Sequence, residues 1–203
     1  MLIGNYFKNV NLKFKNHKFS GLSFNSNNCK KNYIFFAIKG NNLNGNKFIN
    51  HAINKGAKTV VSNIKYEGFK KDVLFIRSNN VRRLLSETVS KIYRKKPKNL
   101  VAVTGTNGKS SIANFYLQIL KLNKKKVASV GTLGINSNKN KIELQNTTLD
   151  SLQLAKHLSK LKDQKIENVI LEASSHGLSQ HRLDGLKFQI GIFTNLSHDH
   201  LDY

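Results

Sequence analysis

Residues 100–122 constrain the fold more than any other stretch of the chain. An apolar run at 100–103 leads into Thr104-Gly105-Thr106-Asn107-Gly108-Lys109-Ser110-Ser111. Ile112, Tyr116, Ile119 and Leu120 then follow at the spacing of one helix face. A short buried strand that turns through glycines straight into a helix belongs to a sheet whose strands run parallel under flanking helices. The pattern repeats downstream. Residues 127–130 read as a strand. Residues 150–161 read as a helix burying Leu154, Leu158 and Leu161. Residues 169–171 and 190–193 read as further strands. The expected architecture is a doubly covered parallel sheet, with its binding groups beyond the carboxyl ends of the strands.

The turn itself has the chemistry of a phosphate cradle. Gly105 and Gly108 allow the backbone to point its N–H groups inward, and a helix starting near Ser110 presents free amides and a positive dipole end. Lys109 can reach β and γ phosphates, and the Ser110 hydroxyl can ligate Mg²⁺. The general pattern has a glycine five residues before the Gly-Lys pair, where this chain has Val103. An ordinary glycine turn is the bland alternative.

Three polar clusters fall where strands end. Glu172 follows the apolar 169–171 and can hold Mg²⁺ directly or through water; a surface Glu in a loop is the plain alternative. Ser174-Ser175-His176-Gly177 lacks the first glycine of a nucleophile elbow in either register, so a serine hydrolase is disfavoured and substrate contacts are the better reading. His198-Asp199-His200-Leu201-Asp202 has the density of metal or phosphate chemistry. A metal-dependent phosphohydrolase would require further ligands, and a polar loop is the plain reading.

The amino-terminal half is a separate segment. Residues 33–38 read as a buried strand and 46–55 as a helix with Phe48, Ile49, Ala52 and Ile53 on one face, stopped by Gly56. Residues 59–61 and 73–76 read as strands, and a helix begins near Val81. That helix runs into Arg94-Lys95-Lys96-Pro97-Lys98, where the only proline marks a boundary between 1–95 and 96–203. The chain has 203 residues, 39% of them hydrophobic, enough for a core. Lys and Arg number 34 against 11 Asp and Glu, a formal charge of +23. The bases are dispersed, and no nucleic-acid motif accompanies them; they favour an anionic substrate rather than nucleic acid. The single cysteine, Cys29, excludes an internal disulfide and points to a reducing cytoplasm. No apolar run is long enough to span a bilayer.

Together these blocks resemble the Mur ligases, and among them the type that adds the third peptide residue to a UDP-N-acetylmuramoyl-dipeptide. The loop at 104–111 has that family's form, which accounts for Val103. Asn146-Thr147-Thr148 is similar to its substrate-binding turn. Glu172-Ala173-Ser174-Ser175-His176-Gly177-Leu178-Ser179-Gln180-His181-Arg182 and the stretch 193–203 are similar to its next two blocks, in family order. In the first segment, Phe35-Phe36-Ala37-Ile38-Lys39-Gly40 and the residues after Asn44 look like its uridine-binding domain. The family's usual Asp-Ser-Arg is Asn25-Ser26-Asn27 in this chain.

The resemblance implies a small α/β uridine-binding domain at 1–95, followed at 96–203 by the first part of a P-loop-type central domain. The rest of that domain and the carboxy-terminal domain would lie beyond it. It implies an ATP-dependent amide ligase of peptidoglycan precursor synthesis that joins a free amino acid, diaminopimelate or lysine, to UDP-N-acetylmuramoyl-L-alanyl-D-glutamate. It also implies that this piece alone is inactive. ATP would lie on Gly105, Thr106, Asn107, Gly108, Lys109, Ser110 and Ser111, and Mg²⁺ on Ser110, Glu172 and His200. Lys109, Glu172 and His200 would be catalytic. Ser26, Asn146, Thr147, Thr148, Ser174, Gln180 and Arg182 would hold the UDP substrate. A cytoplasmic monomer with no nucleic-acid or membrane partner is expected. The rival readings are another ligase of the superfamily, such as a folylpolyglutamate synthetase, and a non-enzymatic nucleotide- or nucleic-acid-binding protein.

Overall fold

In the computed structural model of the chain, residues 1–8, 10–40, 43–138, 140–143 and 149–197 are described. The chain divides into two units, Met1–Thr88 and Val89–Tyr203. The division falls within the helix Val81–Ile92.

Among the described residues, the first unit is built on five strands. These are β1 (Gly21–Ser23), β2 (Tyr33–Phe36), β3 (Ala57–Ser62), β4 (Gly68–Lys70) and β5 (Val73–Arg77), in the spatial order β1-β2-β3-β5-β4. All neighbours are parallel except β4 and β5. β2 lies inside the sheet between β1 and β3; its Ile34, Phe35 and Phe36 have almost no exposed surface, and such continuous apolar runs suit a strand covered on both faces. Helix α1 (Ile49–Asn54) lays Ile49 and Ala52 against Phe35, Val60 and Val73. The helix expected at 46–55 is split. Gly45–Phe48 forms a 3₁₀ turn whose entry is fixed by the Asn44 side chain accepting from the Asn46 amide. Phe48, expected on the buried face, is therefore 39% exposed, because three residues per turn rotates it off the α-helical stripe. Gly56, at φ +106°, ends α1 as expected. Helix α2 (Val81–Ile92) follows β5.

Among the described residues, the second unit holds a six-stranded mixed sheet. Its strands are β6 (Asn99–Thr104), β7 (Val127–Gly131), β8 (Gly134–Ser137), β9 (Lys141–Ile142), β10 (Asn168–Glu172) and β11 (Ile190–Phe193), in the order β11-β6-β10-β7-β8-β9. The first four in that order are parallel; β8 and β9 extend the sheet as an antiparallel ribbon that the sequence pattern does not reveal. Successive residues of β10 point to opposite faces. Val169 and Leu171 join a core with Leu154, Leu158 and Leu161 of α4 (Ser151–Asp163). Ile170 joins Val101, Val103 and Ala113 on the other face, under α3 (Lys109–Leu122). Asp150 caps α4, its Oδ1 accepting from the amides of Leu152 and Gln153 at 2.9 Å.

α3 is turned from the expected orientation. Ala113 and Leu117 are its buried line, with Ile112 and Tyr116 beside them, and Ile119 is 57% exposed. Ile119 lies two residues past Leu117, about 200° around the axis, so the two cannot share the face against the sheet.

Candidate phosphate-binding site

The parallel strands β6, β7, β10 and β11 end on one side of the sheet, and the chemistry collects there. β6 delivers the loop. Gly105 takes φ +133° and Gly108 φ +85°, both in the region that favours glycine. Gly108 is the N-cap of α3, and a Cβ on it would meet nothing within 4 Å. Gly105 is crowded instead: a Cβ would sit 2.0 Å from Thr194 Oγ1 and 2.8 Å from the Asn195 carbonyl oxygen. Lys109 opens α3, and its Nζ donates to the carbonyls of Gly105 and Thr106 at 2.6 and 2.7 Å, holding the ammonium over the loop. Ser111 follows in the first helical turn.

β10 delivers Glu172 as its last residue. Ser110 Oγ donates to Glu172 Oε2 at 2.8 Å, and Thr132 Oγ1 donates to the same oxygen at 3.2 Å. Gly131, at the end of β7, makes room, because a Cβ there would lie 2.1 Å from Glu172 Oε1. Two hydroxyls and a carboxylate at the mouth of a helix N-terminus form an all-oxygen donor set. That is the chemistry a hard divalent cation takes, and the open backbone at Gly108 with the adjacent free helix amides suits a phosphate. Among the described residues no three His, Cys, Asp or Glu side chains come together as a metal site. A cation here would rest on hydroxyls beside one carboxylate.

β11 delivers a third strip. The Thr106 amide donates to the Asn195 carbonyl at 3.0 Å, and the Asn107 amide to Asn195 Oδ1 at 3.0 Å. Thr194 Oγ1 donates to the Asn107 carbonyl at 2.7 Å, and the Ser197 amide to Thr106 Oγ1 at 3.0 Å.

The other expected site residues are placed as follows. Ser174 caps α5 (Ser175–Ser179), accepting from the Gly177 amide at 3.1 Å. Arg182 donates through Nε and Nη2 to Gln180 Oε1 at 3.2 and 2.7 Å, so those two form one pair just past α5. In the first unit Ser26 is buried, opens a 3₁₀ turn, and has its Oγ 3.0 Å from His51 Nδ1. Asn146, Thr147, Thr148 and His200, with the rest of the 198–203 cluster, lie outside the described residues. The structure thus gathers Lys109, Ser110 and Glu172 at the loop. Gly131, Thr132, Thr194, Asn195 and His51 are partners that sequence reasoning missed. The strand-end rule that picked out Glu172 applies equally to Gly131-Thr132 after β7 and Thr194-Asn195 after β11.

Residues 103–203 match the family model of the Mur ligase middle domain. The chain is 45% identical over 199 residues to the UDP-N-acetylmuramoyl-L-alanyl-D-glutamate–2,6-diaminopimelate ligase of Rickettsia prowazekii (strain Madrid E), covering 96% of this chain and 41% of that protein. It is 40% identical over 187 residues to the ligase of the same name from Clostridium tetani (strain Massachusetts / E88), covering 90% and 38%. Among solved structures, a UDP-N-acetylmuramoyl-L-alanyl-D-glutamate–2,6-diaminopimelate ligase superposes with a TM-score of 0.81 at 29% identity, over 99% of this chain and 42% of that one. A MurF ligase from Thermotoga maritima, solved in complex with ADP, shares the fold at a TM-score of 0.57 and 22% identity, over 89% and 38%. The chain spans about 40% of the length of the curated relatives it matches.

Proposed function

The chain belongs to the Mur ligase family, and from that premise we propose that it is part of an ATP-dependent ligase adding diaminopimelate to UDP-N-acetylmuramoyl-L-alanyl-D-glutamate. The observation that carries the reading is the convergence of Lys109, Ser110 and Glu172 at the N-terminus of α3, where β6, β7 and β10 end. Its relatives' names supply the substrate, and lysine in place of diaminopimelate is the variant to test against.

The chemistry joins a carboxylate to an amine. The terminal carboxylate of the dipeptide attacks the γ-phosphorus of ATP, giving an acyl phosphate and ADP. The amine then displaces phosphate and forms the amide. Two anions must meet in the first step, so the protein's task is to neutralise charge and hold the reactants in line. Lys109 and the first amides of α3 would draw the β and γ phosphates to the loop. Ser110, Glu172 and Thr132 would hold Mg²⁺, which when bound supplies further neutralisation of the phosphate oxygens. His200 is proposed beside them. Ser26, Asn146, Thr147, Thr148, Ser174, Gln180 and Arg182 are proposed for the UDP substrate, with 1–95 as its uridine-binding domain and 96–203 as part of the ATP-binding one. The forked guanidinium of Arg182 suits an anionic oxygen, which would replace Gln180 Oε1 on its Nε and Nη2 donors. A reducing cytoplasm, consistent with the free thiol of Cys29, is the proposed site of action.

The test is ADP release from ATP by a polypeptide carrying this chain at the length of its relatives. We expect release to require the UDP-dipeptide and to proceed to amide with diaminopimelate. ADP release that ignores the UDP-dipeptide overturns the reading.

A further inference from the structure

We propose that Asn195 is a positioning residue that clasps the phosphate loop, committing the amides of Thr106 and Asn107 so that phosphate is bound by the amides that follow them. The inference rests on the reading of the loop as an ATP site.

The side-chain amide of Asn195 meets the Asn107 peptide at both of its polar groups. Oδ1 accepts from the Asn107 N–H at 3.0 Å, and Nδ2 donates to the Asn107 carbonyl at 3.3 Å. A carboxamide is the group that offers a donor and an acceptor at this spacing; a carboxylate accepts but cannot donate. The main chain of Asn195 adds a third contact, its carbonyl accepting from the Thr106 amide at 3.0 Å. Thr194 Oγ1 donates to the same Asn107 carbonyl at 2.7 Å. The contacts are close enough that Gly105 has no room for a side chain.

This arrangement divides the loop. The N–H groups of Thr106 and Asn107 are spent on Asn195. Those of Gly108, Lys109 and Ser110 have no acceptor among the described residues, and they precede or begin a 14-residue helix. A phosphate therefore takes its backbone bonds from Gly108 to Ser110, with Lys109 Nζ, while Thr106 and Asn107 shape the loop without touching it through their amides. Asn195 acts through the loop rather than on the substrate, which makes it a positioning residue.

Hydrogen exchange resolved to single amides tests this on the chain as it stands, in the wild type, Asn195→Ala and Asn195→Asp, with and without MgATP. Without nucleotide, the Asn107 amide is expected to be protected in the wild type and in Asn195→Asp, and to exchange about tenfold faster in Asn195→Ala, as one lost hydrogen bond implies. α3 amides should be unchanged, showing that the variant is folded. With MgATP, new protection is expected at Gly108 to Ser110 and not at Asn107. ATP affinity should fall in Asn195→Ala and further in Asn195→Asp, whose charge faces the phosphates. Equal exchange of Asn107 in the wild type and Asn195→Ala overturns the clasp, as does unaltered ATP affinity in Asn195→Ala. If no protein, the wild type included, binds ATP but the exchange difference persists, the clasp stands and the nucleotide reading fails.

Discussion

A methyl group on Gly131 would lie 2.1 Å from Glu172 Oε1, and one on Gly105 would lie 2.0 Å from Thr194 Oγ1. The two clashes differ in what can yield. At Gly131 the neighbour is the Glu172 side chain, which can swing aside by giving up its bonds to Ser110 and Thr132. Gly131→Ala should keep its melting temperature while Glu172 is displaced, so the Mg²⁺ concentration needed for ATP turnover rises. At Gly105 the obstacles include the Asn195 backbone, and φ is +133°. Gly105→Ala should lose about 1–3 kcal/mol in denaturant unfolding. Equal stability losses for both variants would contradict this account. Lys109→Ala is expected to abolish ATP turnover in the full-length enzyme, because no other ammonium on the described loop replaces it. Arg182→Ala should raise KM for the UDP-dipeptide strongly and leave ATP binding nearly unchanged; equal losses for both ligands would place Arg182 elsewhere.

At the scale of elements, burial and charge combine in two histidines. Burial against Phe69 pushes the His17 imidazole below its ordinary 6.5, opposed by a hydrogen bond to the Lys58 backbone. Burial also lowers His157, helped by Lys160 and Lys156. Unfolded, each takes up a proton near pH 6.5; folded, each resists until lower pH. The unfolded chain thus binds more protons in that window. The stability these groups confer is full above 6.5 and lost as pH falls through the folded values. Melting temperature should drop between about pH 7.5 and 5.5, and His17→Gln with His157→Gln should flatten the slope; an unaltered slope in the double variant would refute the assignment. Element strength also governed what sequence could tell. β2, β6 and β10 were legible because residues such as Ile34, Phe35 and Val169 to Leu171 form unbroken apolar runs. β1, β4, β8 and β9 were not. They lie outside the parallel centres of the sheets, are short, and carry residues such as Lys70, Asn136 and Lys141, so only their pairing identifies them as strands, even where Leu22 and Ile135 reach the core. Lys109, Ser110 and Glu172 were legible from chemistry at strand ends. Thr132 and Asn195 were not, because a lone Thr or Asn acquires meaning only from the partner the fold brings to it.

For the molecule as a whole, the +23 charge is the property most open to misreading. Dispersed lysines bind any polyanion by releasing counterions, and that attraction collapses with salt. Retention on RNA is expected to vanish between about 50 and 200 mM salt, with MgATP binding surviving the same change; RNA binding that resists the salt would favour a nucleic-acid role. The clasp of Asn195 has a consequence in time. Asn107 and Asn195 are 88 residues apart in the chain. On a ribosome adding about 5–20 residues per second, the loop emerges roughly 4–18 s before the residue that shapes it. β6, the strand that carries the loop, likewise waits for both its neighbours, β10 and β11. The part of this unit made first is the part finished last, and a nascent chain is expected to hold its lysine-bearing, glycine-rich turn unclasped until Asn195, two residues past β11, has been synthesised.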